Sequence, residues 1–319
     1  MKLTIALHAL LLLLPSLALA EPLGPGQHTR ELELDGRDRS YIVHLPASYD
    51  AESPTPVVLA FHGAGMNADL MIPFSGLSDA AEKHGFIVVY PNGVGVGPML
   101  TFNAGGFVGR RSGNWADDVA FTSALLDDLA GVASVDPRRI FATGMSNGGM
   151  MVYRLGVELA DRIAAIAPVA GTLAIADPEP TRPVPVMHFH GRADTIVPWD
   201  GPSRRTPQLV DFRSVKQSVA FWVAHNGCVP EPEITDIPVT EEDGTSVRRL
   251  LYRAGDTGAE VILYEIRGGG HTWPGVRTMP NFIGRTTTQI SANDLMWDFF
   301  QRHPMPEPAD NEPSSPGEE

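Results

Sequence analysis

Short apolar runs recur along this chain at residues 57–62, 86–90, 139–144, 163–169 and 184–190, and stretches of helical periodicity alternate with them. Over 116–130, Phe121, Leu125 and Leu129 fall at i, i+4 and i+8, and Asp117 and Asp118 stand at the start, where carboxylates oppose the helix dipole. Residues 147–162 place Met151, Leu155 and Leu159 on one face. A stretch over 215–226 stops at Gly227, with Pro230 and Pro232 soon after. Residues 291–302 form a capped amphipathic pattern with Leu295, Met296, Phe299 and Phe300 facing inward. A further helical stretch runs to about His84. Strands alternating with helices over this length predict an α/β chain: a mostly parallel central sheet with helices on both faces. Two antiparallel additions are expected, a hairpin over 31–45 turning at Asp35-Gly36 and a pairing of 250–253 with 261–266. Residues 93–114 read as a Gly-rich loop and 229–247 as a polar, Pro-rich surface insertion.

The two ends differ from this body. Met1-Lys2, an apolar run over 5–14 and Ala18-Leu19-Ala20 before Glu21 have the layout of a secretory signal peptide, so 1–20 is expected to be removed on export to the periplasm or the exterior. Residues 303–319 hold five acids, five prolines and no Lys or Arg, and they have too little apolar surface to offset chain entropy; a disordered tail is expected. That leaves 21–302 as a single catalytic-sized domain. A formal charge of −14 argues against a nucleic-acid partner. No other apolar stretch approaches the ~18 residues of a membrane helix. The single cysteine excludes a disulfide scaffold and a Cys-based zinc site.

Gly144-Met145-Ser146-Asn147-Gly148 is G-x-S-x-G between an expected strand and an expected helix. That context distinguishes a nucleophile elbow from a loop, because the sharp turn presents the central hydroxyl above the sheet at a helix N-terminus. A serine hydroxyl needs a base, and the base an orienting acid. On such a sheet the chain order is Ser, then acid, then His. Beyond residue 190 the histidines are His225, His271 and His303; His271, in a Gly-rich segment directly after a strand, is the candidate base. Asp194 follows the 184–190 strand and is the candidate acid, with Asp200 and Asp211 as competitors. Two backbone N–H donors should form an oxyanion hole, one from Asn147 and one from Ala64 in His62-Gly63-Ala64-Gly65, with Gly65 as the neighbouring alternative. His62 is read as bracing that loop. His188 and His190 share a strand face, but no third ligand has suitable spacing, so they are read as core or bracing residues, and no metal or cofactor is expected. Gly93-Val94-Gly95-Val96-Gly97 opens no helix and is not a nucleotide loop. Trp115, Trp199 and Trp273 each lie beside a catalytic segment and are candidate substrate-binding walls, with ordinary packing as the alternative.

Phe102-Asn103-Ala104-Gly105-Gly106, Asp117-Asp118-Val119, Gly144-Met145-Ser146-Asn147-Gly148-Gly149 and Gly269-Gly270-His271-Thr272-Trp273-Pro274-Gly275 together resemble the secreted poly(3-hydroxybutyrate) depolymerase and feruloyl esterase family of α/β-hydrolases. The resemblance spans roughly 30–302 and implies Ser146, Asp194 and His271 as the triad. Many relatives carry a Cys pair where this chain has Phe107-Val108 and another Cys near Gly255; here only Cys228 remains. The resemblance therefore implies a loop 93–114 held by packing alone, and Cys228 as a buried thiol or, alternatively, an intermolecular disulfide. The expected function is a secreted serine ester hydrolase acting through an acyl-enzyme on hydroxybutyrate-type oligoesters or feruloyl and aryl esters. The alternatives are an acyltransferase using the same triad and a non-catalytic binding module. The expected partner is a small or oligomeric ester, with neither nucleic acid nor membrane.

Overall fold

The computed structural model describes residues 21–106, 116–203, 211–276 and 283–307. The expected signal peptide, Trp115 and residues 308–319 of the expected tail lie outside the described residues. The chain opens with β1 (Gly26–Leu34) and β2 (Arg37–Leu45), a hairpin whose turn residues Asp35 and Gly36 both have positive φ, as a tight primed turn requires. Then follow β3 (Thr55–Phe61), α1 (Ala68–Ser75), α2 (Leu77–His84) and β4 (Ile87–Pro91). A small hairpin of β5 (Val94–Val96) and β6 (Met99–Thr101) leads to α3 (Asp118–Val132), β7 (Val135–Met145), α4 (Asn147–Glu158), β8 (Ala165–Val169) and β9 (Val186–Gly191). The chain ends through α5 (Val215–His225), β10 (Glu233–Asp236), β11 (Ser246–Tyr252), β12 (Val261–Arg267) and α6 (Ala292–Gln301).

All but the small hairpin's strands join one sheet in the order β1-β2-β4-β3-β7-β8-β9-β12-β11-β10. Its centre, from β4 to β12, is parallel, and antiparallel strands extend it at both edges. Strands β3, β4, β8 and β9 are buried along their whole length, which explains why they read as continuous apolar runs rather than as alternating ones. One face packs against α3, α4 and α5 through Phe121, Leu125, Met151, Leu155, Val219 and Trp222. The other packs against α1, α2 and α6 through Met71, Leu77, Met296, Phe299 and Phe300. The expected α/β class, with helices on both faces, is what the structure has.

Four local expectations are corrected. The helical stretch before His84 is two helices, broken at Gly76 with φ 63°. The Gly-rich segment after residue 93 is not all loop, since β5 and β6 pair there and Leu100 is bridged to Met66. The 229–247 segment contributes an edge strand, β10, every residue of which is exposed, and Arg248 on β11 pairs with its Asp236 at 2.8 Å. The tail does not leave the body at residue 303: Met305 donates its N–H to Arg138 O at 2.7 Å, and Arg138 pairs with Glu307 at 2.7 Å.

One buried ion pair joins sheet, helix and loop. Arg39 on β2 donates to Asp118 at 2.6 Å and lies over the Phe121 ring at 3.8 Å, while the other Asp118 oxygen accepts the Asn103 N–H at 2.6 Å. Both side chains are almost wholly removed from water, 2% and 0% exposed. Truncating Asp118 leaves a buried guanidinium without its counter-charge. An Asp118→Ala variant should therefore lose about 3–5 kcal/mol of stability, read from urea denaturation.

Candidate active site

Three loops at the C-terminal ends of parallel strands converge on one edge of the sheet. Ser146 follows β7, Asp194 follows β9 and the segment holding His271 follows β12. Ser146 is a half-buried residue with φ 58° and ψ −118°, a strained conformation for a residue with a Cβ. Its N–H is bonded to Val169 O at 2.9 Å, and its side chain makes no cap on α4, so the hydroxyl is not consumed by the helix it precedes. The turn is feasible only because the next elements come very close. A Cβ at Gly148 would lie 2.2 Å from Phe61 O and 2.6 Å from His62 O, at the end of β3.

Asp194 is buried and its carboxylate is fully engaged. Oδ1 accepts the Ile196 and Val197 N–H groups at 2.8 and 2.9 Å, and Oδ2 faces His271 Nδ1 at 2.7 Å. This bond places a proton on Nδ1 and leaves Nε2 of His271 as the free acceptor. The His271 segment is fixed by its own backbone: Gly270 N–H bonds Arg285 O at 2.9 Å, and His271 N–H bonds Ile283 O at 2.7 Å. The two segments joined here touch so closely that a Cβ on Gly270 would lie 2.5 Å from Gly284 Cα. The competing carboxylates Asp200 and Asp211 are exposed, and neither is bonded to His271. His225 faces Arg182 O at 3.1 Å and His303 faces Phe299 O at 2.7 Å, both in packing roles.

The loop after β3 lies against the elbow, since a Cβ on Gly63 would be 3.5 Å from Ser146 Cβ. Gly65 donates its N–H to Leu100 O at 2.8 Å, which removes it as an oxyanion donor. Ala64 is exposed, and no hydrogen bond from its N–H to another described residue is formed. Asn147 is the first residue of α4, so its N–H has no acceptor within the helix. His62 braces this loop as expected. The Gly93 N–H donates to Nε2 at 3.1 Å, which makes Nδ1 the protonated nitrogen facing Gly63 O at 2.8 Å. Sequence reasoning missed the side chain of Asn147. Its Oδ1 accepts from Thr101 Oγ1 at 3.0 Å and Phe102 N–H at 2.8 Å, and its Nδ2 donates to Phe102 O at 3.1 Å. The described part of the loop 93–114 is therefore held by hydrogen bonds to the elbow as well as by packing.

His188 and His190 continue a buried hydrogen-bonded chain behind Asp194. Val197 O faces His190 Nε2 at 2.8 Å, His190 Nδ1 faces His188 Nε2 at 3.0 Å, and His188 Nδ1 faces the Tyr153 hydroxyl at 2.7 Å. A carbonyl only accepts, so His190 carries its proton on Nε2. The rest follows: His188 Nε2–H donates to His190, and Tyr153 O–H donates to His188. Both imidazoles are held below their ordinary range, chiefly by burial. Among the described residues no cluster has the makeup of a metal site.

Two of the aromatic walls are corrected. Trp273 is fully buried, with its indole N–H on Asn293 Oδ1 at 2.8 Å, and Asn293 donates in turn to Ser75 O, so it locks the His271 segment to α1 and α6 rather than facing substrate. Trp199 is 5% exposed and sits edge-on to His190 beneath Arg192.

The neutral buried histidines carry a pH dependence. Burial lowers the His62 imidazole to about 4, whereas the unfolded side chain titrates near 6.5. Between those values the unfolded chain binds a proton that the native chain does not, so stability contributed above pH 6.5 is lost as pH falls towards 4. In urea denaturation at pH 7 and pH 5, His62→Asn should reduce that fall by up to about 1.4 kcal/mol per pH unit.

Comparison with known proteins gives the family and the fold. A family model described as "Putative esterase" matches residues 33–232. The protein named "Putative esterase NocK" of Nocardia uniformis subsp. tsuyamanensis is 34% identical over 284 residues, covering 85% of this chain and 81% of that protein. "Feruloyl esterase B" of Piromyces equi is 33% identical over 241 residues, covering 73% of this chain and 42% of that protein. The acetyl xylan esterase from Aspergillus awamori superposes with a TM-score of 0.57 over 86% of this chain and 99% of its own, at 15% identity, a likeness of fold. The match of the family model over residues 33–232 and a relative 34% identical over most of both chains lead to one assignment: the chain belongs to the esterase family, as an ester hydrolase with the α/β-hydrolase fold.

Proposed function

We propose that this esterase cleaves feruloyl-type aryl esters through an acyl-enzyme formed on Ser146. The observation that carries the reading is the buried 2.7 Å contact between Asp194 and His271 at the same sheet edge as the strained Ser146. His271 Nε2 takes the hydroxyl proton as Ser146 Oγ attacks the ester carbonyl carbon. The N–H groups of Asn147 and Ala64 hold the tetrahedral oxyanion, and Asp194 stabilises the imidazolium. Collapse of the intermediate passes the proton to the leaving alcohol and leaves the acyl group on Ser146. Water, deprotonated by His271, then releases the acid. Each oxyanion donor is worth about 10²–10³ in rate in comparable hydrolases.

The aryl preference is supported by the resemblance to a protein named as a feruloyl esterase. The β5–β6 hairpin supports an apolar acyl or aryl group near the site: it is bonded to the loop beside Ser146 and exposes Val96 and Met99. Residues 1–20 act in this reading as a secretory signal, which places the substrate outside the cytoplasm.

With p-nitrophenyl acetate, Ser146→Ala should lower kcat on the order of 10⁶-fold with the fold intact by circular dichroism; retained activity would remove Ser146 as nucleophile. In a substrate panel, kcat/KM for methyl ferulate should exceed that for a hydroxybutyrate dimer ester, and the reverse ranking would move the assignment to aliphatic oligoesters. Export from a bacterial host should give a mature chain beginning at Glu21 by mass spectrometry.

A further inference from the structure

Helix α5 packs over β9 and β12, and beside it the face of β11 that bears Leu250 and Tyr252 is only half-buried. An open groove of about 710 Å³ runs between them, with Leu263 of β12 in its floor and Trp199 in its wall. Ser146, Asp194 and His271 are not among its lining residues. Its rim has the opposite charge to the rest of the chain. Arg192, Lys216, Arg248 and Arg267 line it, whereas the whole chain carries −14.

These cations are only partly neutralised. Glu265, also in the groove, is shared between Arg192 at 3.5 Å and Arg267 at 4.0 Å, and Arg248 is paired with Asp236 outside the lining at 2.8 Å. Lys216 is exposed and forms no ion pair with a described residue. Arg192 is additionally seated over the Trp199 ring at 4.5 Å, which limits the directions its guanidinium can take. The groove thus joins an apolar, aromatic floor to a cationic rim in a volume that small molecules occupy, about 300–1,000 Å³.

We propose that this groove is a binding site for an aryl carboxylate. The ring lies on Leu250, Leu263 and Tyr252, and the ionised carboxylate faces Lys216 and the arginines. An inorganic anion would leave the floor wet, and a neutral aromatic would leave the rim charge unanswered. The proposal does not rest on the ester-hydrolase reading, because a free acid is not a substrate and binding is measured without turnover.

Cys228 supplies a site-specific reporter. It is the only cysteine of the chain and lines the groove, 7% exposed. The test is calorimetric titration of the full mature chain with 3-phenylpropanoate and with its primary amide, repeated on a Lys216→Ala/Arg267→Ala variant. The acid should bind the wild type about 10-fold or more tightly than the amide does, and the variant should lose that difference while hydrolysing p-nitrophenyl acetate at the wild-type rate. Saturating acid should slow alkylation of Cys228 by iodoacetamide. Absence of binding at millimolar acid, equal affinity for acid and amide, unchanged affinity in the variant, or unprotected Cys228 would each overturn the proposal.

Discussion

The close approach of Gly148 to the carbonyls of Phe61 and His62 is the constraint on which the site depends. It lets α4 begin directly against the end of β3, so the Asn147 N–H and the loop carrying Ala64 are neighbours by construction. The strained Ser146 backbone is the cost of that nearness. It is sustained by pairing on both sides, with β7 between β3 and β8, and by the Ser146 N–H bond to Val169. A side chain at position 148 would separate the elbow from β3 and move the Asn147 N–H and Ser146 together.

Behind Asp194, the direction of every hydrogen bond is set at one end. Because Val197 O cannot donate, the protons of His190, His188 and Tyr153 all point the same way, and both imidazoles stay neutral. That neutrality matters because His190 Nε2 is 3.5 Å from Asp194. A charged His190 would compete with His271 for the same carboxylate. The chain also ties α4, the helix that follows Ser146, to the loop that presents Asp194, so two members of the candidate site are referenced to one another through the protein interior rather than through solvent.

What could be read from the sequence was what depends on local backbone pattern. The parallel centre follows from apolar runs at strand length, and the order Ser146, Asp194, His271 follows from where those runs end. Glycines concealed the β5–β6 hairpin, since Gly95 and Gly97 interrupt the alternation that marks a strand. Side-chain direction was not legible. Trp273 turns inward because Asn293, on a helix distant in the chain, offers its indole an acceptor, and Trp199 is drawn under Arg192. Nor did any local pattern reveal that Asn147 uses both ends of its amide on Phe102, because that contact exists only once β6 and α4 have met.

The wall formed by residues 100–106 is stitched by Asn147, Asp118 and Arg154, each bonded to main-chain atoms of that segment. A chain with one cysteine has no covalent alternative within itself. Completion of this wall consequently requires no intramolecular disulfide to form, and dithiothreitol has no such bond there to break. The shape of this wall is thus independent of whether the surrounding thiols are reduced or oxidised.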